Sequence, residues 1–150
     1  FMLFARYGQG LLVLHERQTR FSIVLHPLDR KAVLTARTIA RQLGKLPQAL
    51  RKTISFDNGT EFAEHHRLHN ALGVQTFFCD PHSPWQKGGV ENSIGRLRRS
   101  LPRKTDLKAI TAAALKRLAQ RLNDTPRKCL DFNTPAEAFS KLKSIVALQT

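Results

Sequence analysis

The stretch TISFDNGTEFAEHHRLHNALGVQTFF, residues 53–78, decides how the rest of the chain is read. Thr53-Ile54-Ser55-Phe56 reads as a short strand, rich in β-branched and aromatic residues. Asp57-Asn58-Gly59 ends it, because these residue types favour turn conformations. Thr60 is placed to cap a helix through Leu72, and Gly73 to close that helix. Val74 to Phe78 forms the next strand. A strand, a helix and a strand in succession are the unit of an α/β fold.

Working outward, Gly10–Glu16 and Arg20–His26 are short apolar runs with ERQT between them, the pattern of a hairpin. Asp29 is placed to cap a helix through Leu43. Ala32, Ala36, Ile39, Ala40 and Leu43 share one face of it, and Gly44 is a natural residue for the position after its end. Residues 79–87, with Pro81, Ser83 and Pro84, form a loop. From Gly88 a helix is expected to run to Leu101, where Pro102 stops it. Asp106 is placed to cap a further helix through Leu122. Thr134-Pro135-Ala136-Glu137 is a capping box with Pro at the first helical position, and it opens a last short helix. No internal repeat or low-complexity tract appears. Early strands alternate with helices and later ones give way to helices alone, which predicts an α/β or mixed domain with a helical C-terminal flank.

The chain has 150 residues, a length suited to one compact domain. A hydrophobic content of 41% and nine Phe are enough for a core and exclude wholesale disorder. The longest apolar runs, LLVL and SIVL, are far below the ~20 residues of a membrane span. No signal-peptide pattern opens the chain. Cys79 and Cys129 stand far apart with no CxxC, which argues against a zinc ribbon or disulfide scaffold and for a reduced, cytoplasmic compartment. The formal net charge is +14. It is +5 over residues 1–80 and +9 over 81–150. The densest stretch runs from Lys87 to Lys104 and includes Arg96, Arg98, Arg99 and Arg103, with Glu91 its only acid. Such a surplus points to a polyanion, most often nucleic acid. A single basic run is equally the mark of a solvated helix face, and ribosomal and nucleoid proteins share the surplus.

Two carboxylates stand out by context. Asp57 lies where an apolar strand turns at Asn58-Gly59, and Glu91 lies early in the basic helix after Gly88-Gly89. One helix and one strand separate them, enough chain to bring a strand end and a helix start together. Two carboxylates converging in a basic surface suit a hard divalent ion beside a phosphate. Two such ions about 4 Å apart can activate a nucleophile and stabilise the leaving oxygen. Both positions also have simpler explanations. Asp-Asn-Gly is a common turn, and a helix dipole alone favours Glu in a first turn.

SFDNGTEF at 55–62, PHSPWQKGGVENSIGRLRRSLPRKTDL at 81–107 and NDTPRKCLDFNTPAEAF at 123–139 together resemble the catalytic core of DDE transposases and retroviral-type integrases. The similarity is greatest to the bacterial insertion-sequence-thirty (IS-thirty) family, and it extends to LHERQTRF at 14–21. The resemblance implies a ribonuclease-H-like fold, a mixed five-stranded sheet with helices on both faces. It implies a core over 1–122 and a C-terminal helical flank over 123–150 of the same domain. It also implies Mg²⁺ or Mn²⁺, two ions in the complete enzyme, held in part by Asp57 and Glu91 as catalytic residues. Asn58 and Gly59 match the turn that presents the Asp. Gly88 and Gly89 match small residues that let backbone approach DNA. The implied partners are transposon inverted repeats and target DNA, with cutting of the ends followed by strand transfer. A homo-oligomer and a bacterial, nucleoid-associated location follow from the same resemblance.

The family's third carboxylate belongs to a Trp-Glu-Gly-Asp-like segment just upstream of the stretch matched by Phe1–Phe4. No acidic residue precedes Glu16, and Glu16 is expected on the second strand, where it cannot substitute. The chain therefore reads as a core truncated at its N-terminus, with the first strand largely missing, and inactive alone. The rival reading is a non-catalytic DNA-binding remnant, or a basic structural protein that packs against nucleic acid.

Lys87, so close to Glu91, is expected to contact phosphate. Arg96 and Arg99 share a helix face while Arg98 points elsewhere, and with Arg103 and Lys104 they complete the expected DNA-binding set. Trp85 is either a core anchor or a platform for a base or the DNA backbone. Glu61, His65 and His69 recur at every fourth position, which fits a solvated helix face better than a metal site. Cys79 reads as a buried small hydrophobe.

Overall fold

A computed structural model describes residues 1–4, 9–27, 29–81 and 83–148; His82, in the expected loop, lies outside the described residues. They divide into two compact units, Phe1–His26 with Gly88–Thr150, and Pro27–Lys87.

The first unit is built on three antiparallel strands in the order β1-β2-β3: Met2–Leu3, Gly10–His15 and Ser22–Leu25. Leu12 pairs with Leu25 and His15 with Ser22, so the expected hairpin forms. Glu16 lies one residue past β2, not within it. Its carboxylate accepts from the backbone N–H groups of Gln18 and Thr19 and the hydroxyl of Thr19, which ties the hairpin turn. Burial alone would raise this carboxyl's pKa, but those hydrogen bonds outweigh it and the net shift is downward.

Helices α3 (Gly88–Arg98) and α4 (Ala112–Asn123) cover the sheet. Met2, Phe4, Leu11, Val13 and Val24 meet Leu97, Leu101, Leu107, Leu115 and Leu122 in one apolar core. Burying such side chains is the main force that holds the unit together. Helix α3 stops at Arg98, three residues before Leu101. The chain then tightens into i→i+3 turns at Arg99 and Ser100 ahead of Pro102. Asp106 caps only the short 3₁₀ turn Leu107–Ala109, and α4 starts later, with Thr111 accepting from the Ala114 N–H. Helix α5 (Pro135–Ala147) opens on the expected Thr134–Glu137 box and, at 13 residues, is not short. Its Phe139 stacks on Phe21 with ring centroids 4.6 Å apart, which fastens α5 within this unit.

The second unit holds α1 (Ala32–Leu43), β4 (Thr53–Phe56), α2 (His66–Leu72) and β5 (Gln75–Phe78). Strands β4 and β5 pair in parallel, Thr53 with Gln75 and Phe56 with Phe78. The strand–helix–strand reading therefore holds, with Val74 buried just ahead of β5. Among the described residues the strand pairings are this parallel pair in the second unit and the three-stranded antiparallel sheet in the first.

Several expected caps are not made. Asp29 accepts from the Lys31 N–H before α1 begins, and α1 has no side-chain cap. Gly44 stays right-handed at φ −60° because its N–H still bonds Ala40 and the chain tightens onward. Thr60 starts a 3₁₀ turn, Thr60–Phe62, behind Gly59 and caps nothing. Gly73 does close α2, at φ +68°, where glycine carries no side-chain penalty.

Candidate metal-binding and DNA-binding residues

Asp57 follows the last residue of β4. Phe56 anchors that strand end: its ring stacks on Phe62 at 4.6 Å and tilts against Phe78 at 5.9 Å. The turn is pinned to the end of β5, where Cys79 N–H donates to Phe56 O and Asn58 Nδ2 donates to Cys79 O. Cys79 itself is buried, as a small hydrophobe at this position should be. The result is a fixed platform for Asp57. Its Oδ1 is buried and has no hydrogen-bond partner among the described residues. A buried carboxylate oxygen without a donor is costly, and a bound cation is one way to satisfy it. In this respect Asp57 fits a divalent metal.

Glu91 sits in the first turn of α3, is exposed, and belongs to the first unit. No hydrogen bond or ion pair within the described residues engages its carboxylate. It borders an open groove of about 640 Å³ lined also by Leu3, Ile94, Gly95, Arg98 and Arg103. Asp57 belongs to the second unit. Among the described residues no three His, Cys, Asp or Glu side chains gather into a metal-binding group.

The basic side chains divide by what they touch. Arg98 donates to the carbonyl of Leu3, and its guanidinium lies 4.7 Å from the centre of the Phe4 ring. Burial, then the charge of Arg103, lowers its pKa. Arg98 thus fastens α3 to β1. Arg96, Arg99, Arg103 and Lys104 are exposed, with Arg96 donating to Asn92 Oδ1. Trp85 is 76% exposed in the 3₁₀ turn Pro84–Lys87, so it is not a core anchor. Lys87 ends that turn and is partly buried.

Glu61 and His65 do not continue one helix with His69. Residues 60–62 are 3₁₀ and α2 starts at His66, so the every-fourth-residue spacing is not helical there. His65 instead bonds Thr76 Oγ1 at 2.7 Å and meets the Phe78 ring edge-on.

Two arrangements escaped the sequence reading. Asp80 and Gln86 clamp the loop ahead of α3: Asp80 N–H donates to Gln86 Oε1, and Gln86 Nε2 donates to Asp80 Oδ2, both at 2.9 Å. Under α3, His15 Nδ1 lies 2.9 Å from Ser22 Oγ and 3.0 Å from Ser93 Oγ. Asn123 then bonds both the N–H and the carbonyl of Ser22. The one sequence cue was a lone His closing the apolar run LLVL.

The fold is that of an integrase-type catalytic core. The chain superposes on the catalytic core domain of BIV integrase with a TM-score of 0.71, covering 97% of this chain and 93% of that one at 20% identity. Among the proteins similar to it in sequence are bacterial insertion-sequence transposases. It is 38% identical over 130 residues to the transposase of insertion sequence element IS1086 from Cupriavidus metallidurans and 37% identical over 131 residues to transposase InsI of IS30C from Escherichia coli, in each case over 87% of this chain. It spans only 38% and 34% of those two proteins. No family profile matches the chain.

Proposed function

We propose that this chain is the phosphoryl-transfer core of an insertion-sequence transposase, acting on DNA phosphodiesters with Asp57 and Glu91 as carboxylate ligands to divalent metal. The observation that carries the reading is Asp57: a rigid strand end presents it, with one buried carboxylate oxygen left without a donor, in a chain 38% identical to a transposase. Mg²⁺ or Mn²⁺ bound by these carboxylates supplies Lewis-acid stabilisation of charge developing at the scissile phosphate. The chain's own part is to fix the carboxylates and to hold the DNA backbone through exposed Arg96, Arg99, Arg103 and Lys104. Trp85 offers an exposed ring for stacking on a base, and Lys87 a phosphate contact. The substrates are the element's inverted-repeat ends and target DNA. Joining two ends calls for more than one copy of the protein.

Nicking of supercoiled plasmid in Mn²⁺ tests this, using the chain and the chain extended N-terminally through a third carboxylate. The extended form is expected to cut. Asp57→Ala and Glu91→Gln should each lower its rate by about a hundredfold or more, the scale of a lost metal ligand. An extended Asp57→Ala form that cuts as well as its parent overturns the assignment. DNA binding with no cutting by either form supports a non-catalytic DNA-binding protein instead.

A further inference from the structure

Glu91 owes its place to the first two turns of α3, and those turns rest on one imidazole. A Cβ added at Gly89 would lie 2.9 Å from His15 Nε2 and 3.0 Å from His15 Cδ2. The ring therefore sits directly against the Gly89 backbone, and only glycine leaves it room. One turn further on, Ser93 Oγ lies 3.0 Å from His15 Nδ1 and is buried. Residues 89 and 93 lie on one helix face, four apart. Residue 91 is about 200° around the helix from each, since each residue advances ~100°. His15 thus holds α3 from behind at positions two before and two after Glu91, while Glu91 faces solvent.

The ring is itself immobilised. Ser22 Oγ also bonds His15 Nδ1, and Asn123 of α4 bonds Ser22 through both its backbone groups. One polar chain therefore ties β2, β3, α3 and α4 beneath Glu91. At Gly88, by contrast, an added Cβ would meet nothing within 4 Å. The need for glycine belongs to the position that touches His15.

We infer that His15 is a positioning residue for Glu91, setting the carboxylate through Gly89 and Ser93 without touching metal or DNA. This rests on the proposed role of Glu91 as a metal ligand, and the test separates the two. Mn²⁺ affinity is measured by calorimetry on the N-terminally extended chain that carries the third carboxylate, as parent, and on its Glu91→Gln, His15→Ala, Ser93→Ala and double His15→Ala/Glu91→Gln variants, with thermal melts confirming the fold of each. Glu91→Gln should weaken Mn²⁺ binding. His15→Ala should weaken it by about tenfold, the scale of a lost supporting partner, and Ser93→Ala by less. In the Glu91→Gln background, His15→Ala should change nothing further. Equal losses from His15→Ala in both backgrounds mean a merely structural role and overturn the inference. So does unchanged affinity in His15→Ala or, should that variant not fold, in Ser93→Ala. A parent that binds no Mn²⁺, or a Glu91→Gln variant that binds as the parent does, removes the Glu91 assignment itself and the inference with it.

Discussion

The imidazole of His15 is held neutral. Burial lowers its pKa most, the charges of Arg20 and Arg127 lower it further, Glu16 opposes them, and the result is a shift from 6.5 to about 4. Between these values the unfolded chain binds a proton that the folded chain does not. Stability is therefore fully present above pH 6.5, falls as pH drops through the window, and levels off below about 4 as far as this group is concerned. One proton limits the slope to about 1.4 kcal/mol per pH unit, and the ring's partial exposure makes the real slope smaller. The lowered carboxyls of Glu16, Asp29, Glu64, Asp106 and Glu137 add most of their own losses below their ordinary values, 3.8 for the two Asp and 4.5 for the three Glu. Urea melts between pH 6.5 and 5 thus isolate the histidine. The parent should lose stability across that range, and His15→Asn, which cannot titrate, should lose distinctly less. Parallel pH profiles for the two proteins would mean that His15 is not held neutral by the fold.

At the next scale, α5 shows a cap whose energy can be read directly. Thr134 Oγ1 accepts from the Glu137 N–H at 3.2 Å, and the Glu137 carboxylate accepts from the Thr134 N–H at 2.7 Å. Thr134→Ala removes one half of this box and should cost about 1 kcal/mol, seen as a fall in Tm of about 3 °C for a chain of this length. Thr134→Ser should melt as the parent does. The same helix explains what the sequence made legible. Its start signal is local, four consecutive residues that bond one another, so reading the residues is enough. The strand and turn that lead into Asp57 were legible for the same reason. Asp106 misled because it is a real cap, but of a 3₁₀ turn, and only packing decides that α4 waits for Thr111. Thr60 misled likewise, since the first turn of the expected helix tightens into a 3₁₀ turn. The set His15, Ser22, Ser93 and Asn123 was out of reach. Its members lie on four elements, with bonded pairs as far as 101 positions apart in sequence (Ser22 and Asn123), and no local pattern announces the set.

Across the whole chain the charge of +14 must be divided between groups that meet solvent and groups that serve the fold. Arg98 serves the fold, through Leu3 and Phe4. Buried Arg127 does too, its Nη2 donating to Leu122 O at 2.7 Å. Arg99, Arg103 and Lys104 are exposed. On the proposed function only the first class contributes to the salt dependence of DNA binding. A cation that meets a phosphate releases counterions, so the logarithm of the DNA affinity falls with the logarithm of salt by about 0.9 per phosphate contact. Titration of a fluorescent DNA duplex from 50 to 200 mM salt (roughly the range over which such losses are large) reads that slope. Arg99→Ala and Lys104→Ala should each reduce it by about one, weaken binding uniformly across sequences, and leave Tm unchanged. Arg98→Ala should leave the slope alone and lower Tm, because it removes a cation–π contact worth about 0.5–1 kcal/mol and the bond to β1. A reduced slope with Arg98→Ala, or an unchanged slope with both surface variants, would assign the DNA-facing charge to other residues of the chain.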